Sequence, residues 1–531
     1  MPSISKSSII YLLFIACLSF VVVHSAIDNR KSFDYTNIPV YDGVLYEFQQ
    51  LKRYQKFEGD FGLKNRISQS IYEYQGNPVG GMYTTLLTFF APSFLQNDID
   101  LLLRSFLGLF IFNISLFLIL RKKYSNWWAY CILLMLSQLP LLYHYRIGLG
   151  SYTPELIGAV YLLGGYLLLI HFIKTKKIIY FSIGLSSFLF PLAFRFNFFA
   201  YAFLLSLPII VLFIREYSKF SKRILRNVLG IGVLTIVIFL INFFYHFKVF
   251  YSYYTTVCYA IGNLEASLIY YGQNIKELYS TPFLVLFFIA IIGNSLFKNE
   301  KEVKFLSSFW FACIFLAPYL IYSVFVLFVM NSTNTPHIMS ISLFFGILII
   351  PILSVDFFNT KNRNLRKFQI LISVFVIVFC ITSFTNIKRN NSERKLESQY
   401  ETQRFTINYL KKHSVKSMFN CYDAMLDIPI NTALYNERKI MIPYTGSFVT
   451  NDVYLRFSCR TFQACLAQYV DQVKKADLIV INELETDPYI LPMAKSIRIK
   501  LRKQLKSSKT HKLVLRKYFP FYGPILFYRL K

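Results

Sequence analysis

Acidic residues are scarce in this chain. Against 57 Lys plus Arg stand only 28 Asp plus Glu in 531 residues, and charged residues of both signs make up 16%. Soluble domains carry about 25%, so the shortage excludes an ordinary water-soluble globular protein. Cysteine is limited to eight residues, with no CxxC, no HExxH and no clustered Cys/His pattern. That removes the usual zinc and dithiol-redox classes. Neither GxGxxG nor GxxxxGK(S/T) occurs, which removes the common glycine-loop routes to nucleotide binding. There is no internal repeat and no low-complexity segment. No metal and no cofactor are expected.

What is present is apolar. Hydrophobic residues make up 55% and aromatics 18%, and the mean hydropathy is +0.43. The composition is that of a polytopic α-helical membrane protein. A net charge of +29 would point to nucleic acid in a soluble protein. Here Lys and Arg collect at the ends of apolar segments, so nucleic acid is not an expected partner and membrane lipids are.

About eleven apolar segments have the length and character of spans. They lie near 8–26, 101–120, 127–143, 153–173, 178–194, 197–214, 228–247, 282–297, 305–328, 337–356 and 368–387. The fifth and sixth are separated only by Arg195-Phe196-Asn197, which allows a tight hairpin or a re-entrant pair. Connections at 121–123, 174–177, 215–226, 298–304 and 361–367 are basic, while those between them are sparsely charged. Basic loops face the cytoplasm. The alternation therefore puts the N-terminus inside, and the loop 27–100 and the tail outside, in a plasma or inner membrane. Val23 and Ser25 also suit the −3 and −1 positions of a signal-peptidase site. Cleavage there would leave the side of the long loop unchanged.

The chain then divides into a transmembrane part, 1–387, and an extracytoplasmic tail, 388–531. The tail holds 26 Lys plus Arg against 12 Asp plus Glu, but long domains translocate largely regardless of charge. It reads as a small α/β domain. Val415 to Tyr422, Lys439 to Tyr444 and Ala476 to Ile481 are strand-like, and Phe462 to Lys475 has helical spacing. Lys512 to Phe519 and Gly523 to Tyr528 suggest a hairpin around a Gly-Pro turn. A disulfide among Cys421, Cys459 and Cys465 is compatible with an exported tail, although Cys459 and Cys465 within one helix would be poorly placed for it.

The long loop carries the clearest signal. Pro39-Val40-Tyr41-Asp42-Gly43 follows the first span, and Val44, Leu45, Phe48 and Leu51 then form an apolar helical stripe suited to the membrane surface. Lys52 and Arg53 fall on its polar side. Gly76-Asn77-Pro78-Val79 leads into another apolar run, and Arg104 begins the second span.

This order resembles the GT-C superfamily of polyprenyl-phosphate-sugar-dependent glycosyltransferases, which includes protein O-mannosyltransferases and lipid A aminoarabinose transferases. Tyr41-Asp42-Gly43 and Asn77-Pro78-Val79 are similar to two family landmarks. A third is Thr335-Pro336-His337-Ile338, ahead of a late span that runs toward Pro351. Gly43 stands where many relatives have Glu, and Val79 where a second Pro is common. The resemblance implies a polyprenyl-phosphate sugar donor and a glycan, lipid or protein acceptor.

Asp42 also has a physical case of its own. Transfer from a phosphate-linked sugar needs a base for the acceptor hydroxyl and cations for the departing phosphate. Asp42 is the candidate base for an inverting transfer; its simpler role would be to cap the interfacial helix. Asp34 is the nearest substitute. Arg146, Arg195 and His337 at outer ends of spans, with Lys52, Arg53 and Asn77 of the long loop, are the candidate substrate-binding residues. Snorkelling to the interface is the alternative for each cation. Two other functions fit many spans: an O-antigen-type polysaccharide polymerase or ligase, and a lipid-linked glycan transporter or flippase. The former places its large basic outer loop late, and the latter usually shows repeats or broken helices.

The charge alternation generates a direct test. A reporter fused after Lys531 is expected outside the cytoplasm, and one inserted between Arg215 and Arg226 inside. A cytoplasmic reporter at Lys531 would overturn the span parity.

Overall fold

The computed structural model describes residues 6–33, 99–121, 126–144, 148–151, 154–193, 197–237, 394–421, 444–445, 461–483, 492–520 and 523–531. Contacts divide the chain into two units, Met1–Arg30 with Arg53–Asn390 and Lys31–Lys52 with Asn391–Lys531.

The first unit is helical. Its described elements are α1 (Lys6–Phe33), α2 (Ile99–Leu120), α3 (Asn126–Ser137), α4 (Pro140–Tyr143), α5 (Pro154–Thr175), α6 (Ile178–Leu189) and α7 (Asn197–Glu216). A further helical stretch covers 222–237. Among the described residues four helical segments are long and apolar enough to cross a membrane: Ile9–Arg30, Leu101–Leu120, Glu155–Thr175 and Tyr201–Lys219. The protein is membrane-embedded. Its outward apolar side chains agree, since Ile10 of α1 is 64% exposed and Ile214 of α7 67%, a pattern that suits lipid and not water. The expected spans from 282 to 387 lie outside the described residues.

Helix α5 is the axle of this unit. Every residue from Glu155 to Ile173 is buried, so the helix is covered on all sides by its neighbours. Lipid offers no hydrophobic drive between helices, and small residues are what let backbones approach. Gly164 abuts α2, where a Cβ would stand 3.0 Å from the Phe112 nitrogen. Gly165 abuts α6, where a Cβ would meet Gly184 O at 2.6 Å. Gly158 receives the Phe198 ring of α7. Between α5 and α6 the chain reverses through Lys176-Lys177. Lys176 takes a left-handed φ of 59° while its amide donates to Phe172 O (2.6 Å).

Polar and aromatic contacts add the specific joints. Asn113 Nδ2 of α2 donates to Ser19 Oγ of α1 (3.0 Å), and Ser19 Oγ donates to Ile15 O (2.8 Å). Such interhelical bonds contribute about 0.6–2 kcal/mol in membranes. Tyr130 of α3 packs against Tyr11 and Phe14 of α1 and Phe117 of α2, with centroids 4.7–5.7 Å away.

The expected span at 127–143 is not one helix. It breaks between Ser137 and Pro140, with Leu139 extended at ψ 127°. Pro140 lacks the amide that would bond Leu136 O and disfavours helical geometry at Leu139; Leu136 O instead accepts the Leu139 amide at 3.2 Å. The Ser137 carbonyl, left at the break, accepts the Tyr143 hydroxyl at 2.7 Å. The expected fifth span also shortens: α6 tightens into a 3₁₀ turn at Phe190–Ala193, and the apolar helix Ile178–Leu192 falls below spanning length.

The second unit contains α9 (Arg394–Lys412), numbering the 222–237 stretch α8, then β1 (Met418–Cys421), β2 (Tyr444–Thr445), α10 (Phe462–Lys475), β3 (Leu478–Asn482), α11 (Pro492–Lys506), β4 (His511–Phe519) and β5 (Gly523–Leu530). The sheet order is β2-β1-β3-β5-β4. Strands β2, β1 and β3 are parallel, whereas β5 runs antiparallel to both β3 and β4. Alternation assigns each strand to two cores. Met418, Leu478, Val480, Ile525 and Phe527 join Ile407 and Leu410 of α9 on one face. Phe419, Ile479, Ile481, Leu526 and Tyr528 join side chains of α10 and α11 on the other. With both faces covered, β3 is buried at every position, which is why its sequence is a continuous apolar run.

Asp477 fixes the register where β1, β3 and β5 meet. Its carboxylate accepts the Lys416 amide (2.9 Å), its own amide donates to Ser417 Oγ (3.0 Å), and its carbonyl accepts the Leu530 amide (2.9 Å). Thr461 caps α10 by accepting the Ala464 amide at 3.2 Å.

Two sequence expectations change here. Gly523-Pro524 is not the hairpin turn. Both residues lie in β5, opposite Phe519 and Tyr518, and Gly523 enters the strand at φ 68°, a conformation Gly adopts at little cost. Helix α10 begins at Phe462, so Cys459 precedes it and the two cysteines do not share a helix. Cys465 is disulfide-bonded, and Cys421 is buried.

The glycine contacts predict a contrast. Gly165→Val should drive the α5–α6 backbones apart and sharply reduce folded protein in the membrane fraction. Gly230→Ala meets nothing within 4 Å and should leave abundance and thermal unfolding unchanged. Equal tolerance at both sites would contradict the close crossing.

Candidate functional site

One end of the helical unit concentrates buried polar groups. Helix α1 finishes there, and α2, α5 and α7 begin there. The turn at 148–151 stitches the starts and finishes together. Gly148 N donates to His144 O (2.6 Å), Leu149 N to Leu142 O (2.8 Å) and Ser151 N to Gly148 O (3.1 Å). Gly150 lies flush against α1, where a Cβ would stand 2.7 Å from the Ile27 nitrogen. Only Gly fits such a close backbone approach.

Side chains then bind each element to this turn. Asn29 Nδ2, at the end of α1, donates to Tyr143 O at 2.8 Å. Ser105 Oγ, in the second turn of α2, donates to Leu149 O at 2.9 Å. The Tyr161 hydroxyl of α5 donates to Arg104 O at 3.0 Å. Residues on both sides of Val23–Ser25 are therefore engaged within the same unit, from Ser19 on one side to Asn29 on the other.

Three ionisable side chains are held at this end. Arg30 is 2% exposed and Glu155 0%, and all three guanidinium nitrogens of Arg104 are buried. A Cβ at Gly108 would stand 2.9 Å from the Tyr161 ring, and Gly164 faces Phe112. That register of α2 against α5 puts Glu155 within about one turn of Arg104 along the shared direction. Glu155 also sits in the first turn of α5, after Pro154, where the positive end of the helix dipole favours a carboxylate. Charged groups buried at a span end are costly unless they meet other charges or a ligand. Chemically, two guanidiniums can bind an anion and the carboxylate can orient them or accept a proton.

The sequence-derived candidates Asp42, Lys52, Arg53, Asn77, Arg146, Arg195 and His337 all lie outside the described residues. What can be placed are the residues that flank three of them. Asp42 lies in the segment between the end of α1 and the start of α2. Arg146 lies between His144 and Gly148, and Arg195 between the turn ending at Ala193 and the start of α7. All of these flanking elements belong to this same end.

Arg30 and Glu155 were missed by the sequence reading, and Arg104 was noted only as the start of a span. The signal was there: each is a charge inside or at the edge of an otherwise apolar segment, and such charges are rare enough to mark sites. Comparison with protein-family models gives no match, and comparison with the sequences of curated proteins gives none either.

Removing charge from Glu155 separates structural from chemical roles. Glu155→Ala is expected to lower unfolding stability of the detergent-purified chain by about 3 kcal/mol or more, the usual cost of breaking a buried ionic arrangement. Glu155→Gln, which retains volume and hydrogen-bonding capacity, should cost much less. Thermal unfolding of both variants tests this, and an unperturbed Ala variant would argue against a buried ionic role.

Proposed function

We propose that this chain is an integral-membrane glycosyltransferase of GT-C type. In this reading it has about eleven spans, a cytoplasmic N-terminus and an extracytoplasmic α/β domain at 388–531. It transfers a sugar from a polyprenyl-phosphate donor to an acceptor hydroxyl at the extracytoplasmic surface. The Asp42 carboxylate takes the hydroxyl proton as the acceptor oxygen attacks the anomeric carbon. The bond from that carbon to the phosphate oxygen breaks on the opposite side, and polyprenyl phosphate leaves with the electron pair. Configuration inverts. Cations offset the charge that grows on the departing phosphate. Arg146, Arg195 and His337 are the candidates from the connections, with Lys52, Arg53 and Asn77 from the long loop.

What supports this reading is the order of sequence motifs around Asp42, together with buried cations on the helices that flank its segment in the sequence. The segment containing Asp42 is bounded by α1 and α2, and each of those helices brings a buried arginine, Arg30 or Arg104, to the end from which the segment departs. Such an end suits an anionic lipid headgroup. The disulfide at Cys465 favours an oxidising compartment for the tail, in line with the charge alternation of the loops.

The test is transfer from labelled polyprenyl-phosphate sugars in membranes. Asp42→Asn is nearly isosteric and still able to cap a helix, so insertion and abundance should persist. Loss of the base should lower transfer by about 10²-fold or more. Asp34→Asn should do much less. A helix-capping role predicts the opposite pattern at Asp42, with Asn tolerated and Ala destabilising. Near wild-type transfer by Asp42→Asn would remove the assignment.

A further inference from the structure

We propose that the groove beside β4 in the carboxy-terminal unit is a binding site for a phosphate-bearing anion, a role separate from the transferase reading and independent of it. The groove encloses about 780 Å³. Its rim is built from three segments distant in sequence: Lys506 at the end of α11, Lys512 in β4 and Lys531 after β5. The fold forces them together. The 507–510 turn reverses the chain between α11 and β4, with the Ser508 amide donating to Leu505 O (3.2 Å) and the His511 amide to Ser508 Oγ (3.1 Å). The Lys531 amide donates to Thr510 O at 3.0 Å.

Charge is distributed unusually around this groove. Asp487 is the last acid in the sequence, and the 44 residues after it contain twelve Lys plus Arg. Many of those cations are engaged elsewhere. Arg502 donates to Asn482 O and Glu483 O, and Arg529 donates to Ser414 O. Lys500 lies 4.8 Å from the centre of the Phe462 ring and Lys517 3.8 Å from that of Phe405. The one acid in the groove lining, Glu483, is matched by Arg516 at 2.5 Å. Lys506, Lys512 and Lys531 form no ion pair with any described residue.

Three ammonium groups around one concavity repel one another, and an anion seated among them removes that repulsion. Lysine binds phosphate as a point charge with rotatable donors, which suits a group approached from three directions. His511 is already occupied. Its Nε2 donates to Ala476 O (2.9 Å), leaving Nδ1 to accept from the Thr510 hydroxyl (3.0 Å), so it braces the turn. Leu505 and Leu526, both buried, belong to the lining and give the concavity an apolar base. The concave shape favours a discrete phosphate group over a flat charged sheet.

Inorganic pyrophosphate is the probe, titrated by calorimetry into the full chain in phosphatidylcholine nanodiscs. Saturable binding is expected, and it should weaken as salt rises. The triple variant Lys506→Gln, Lys512→Gln, Lys531→Gln should weaken binding by about tenfold or more. A charge-matched control, Lys412→Gln, Lys474→Gln, Lys495→Gln, removes three exposed lysines of the same unit and should change affinity by less than about twofold. Thermal unfolding of both variants confirms that they are folded. Nanodiscs containing phosphatidylglycerol then identify the source: competition with pyrophosphate assigns a lipid headgroup, and its absence a soluble phosphate-bearing ligand. Equal weakening in both triple variants, or no saturable binding, would overturn the proposal.

Discussion

A helix buried on every side within a membrane unit must be approached by backbone, and α5 is that helix. Nothing in lipid drives apolar helices together as water does, so contact must come from closeness. Gly158, Gly164 and Gly165 provide it toward α7, α2 and α6. The remaining architecture follows from these crossings. They set the register of α2 along α5, and that register brings Arg104 and Glu155 to one level. They also seat the start of α7 beside the start of α5. The polar end is therefore a consequence of apolar packing further along the same helices.

That end obeys a different constraint from the rest of the unit. Buried backbone carbonyls must be satisfied, and the interruption at Pro140 releases one at Ser137. The Tyr143 hydroxyl closes it, while the Tyr143 carbonyl receives Asn29 and the Leu149 carbonyl receives Ser105. A helix break thus becomes the junction of three elements. An unbroken helix over 127–143 would bond the Ser137 carbonyl internally, so the departure from a regular span is what frees it for the Tyr143 hydroxyl.

Legibility in the sequence followed the strength of periodic signals. The apolar runs read at 8–26, 101–120, 153–173 and 197–214 overlap helices at Ile9–Arg30, Leu101–Leu120, Glu155–Thr175 and Tyr201–Lys219, because composition alone defines a spanning helix. Leu478 to Ile481 was readable as a covered strand because four consecutive β-branched or leucine residues sit between turn signals. The break at Pro140 was overlooked because hydropathy does not register a missing amide. Glu155 and Arg30 were overlooked for a related reason: averaged over a window, one charge barely changes an apolar run, although its physical cost is local. Gly523-Pro524 was read as a turn from dipeptide chemistry, whereas pairing with Phe519 and Tyr518 draws both residues into the ladder. The site candidates read from the order of motifs lie outside the described residues. The buried Arg30, Arg104 and Glu155 depend on helix register, which no local pattern encodes.

The scarcity of acids acquires a physical meaning from these two regions. At the polar end of the helical unit the buried carboxylate of Glu155 accompanies Arg30 and Arg104. In the carboxy-terminal unit Glu483 matches Arg516, while three lysines around the same groove form no ion pair with any described residue. Proteins that stabilise themselves by ion pairing balance their charges locally, but here the balance is left short in places where the surface is concave or the spans end. A shortage of that kind leaves positive potential focused by low-dielectric surroundings. Phosphate is the anion best suited to it, because several oxygens can meet several cations at once. Under both proposals, excess basicity is more than a topological label on loops: at these two places it sets the class of ligand.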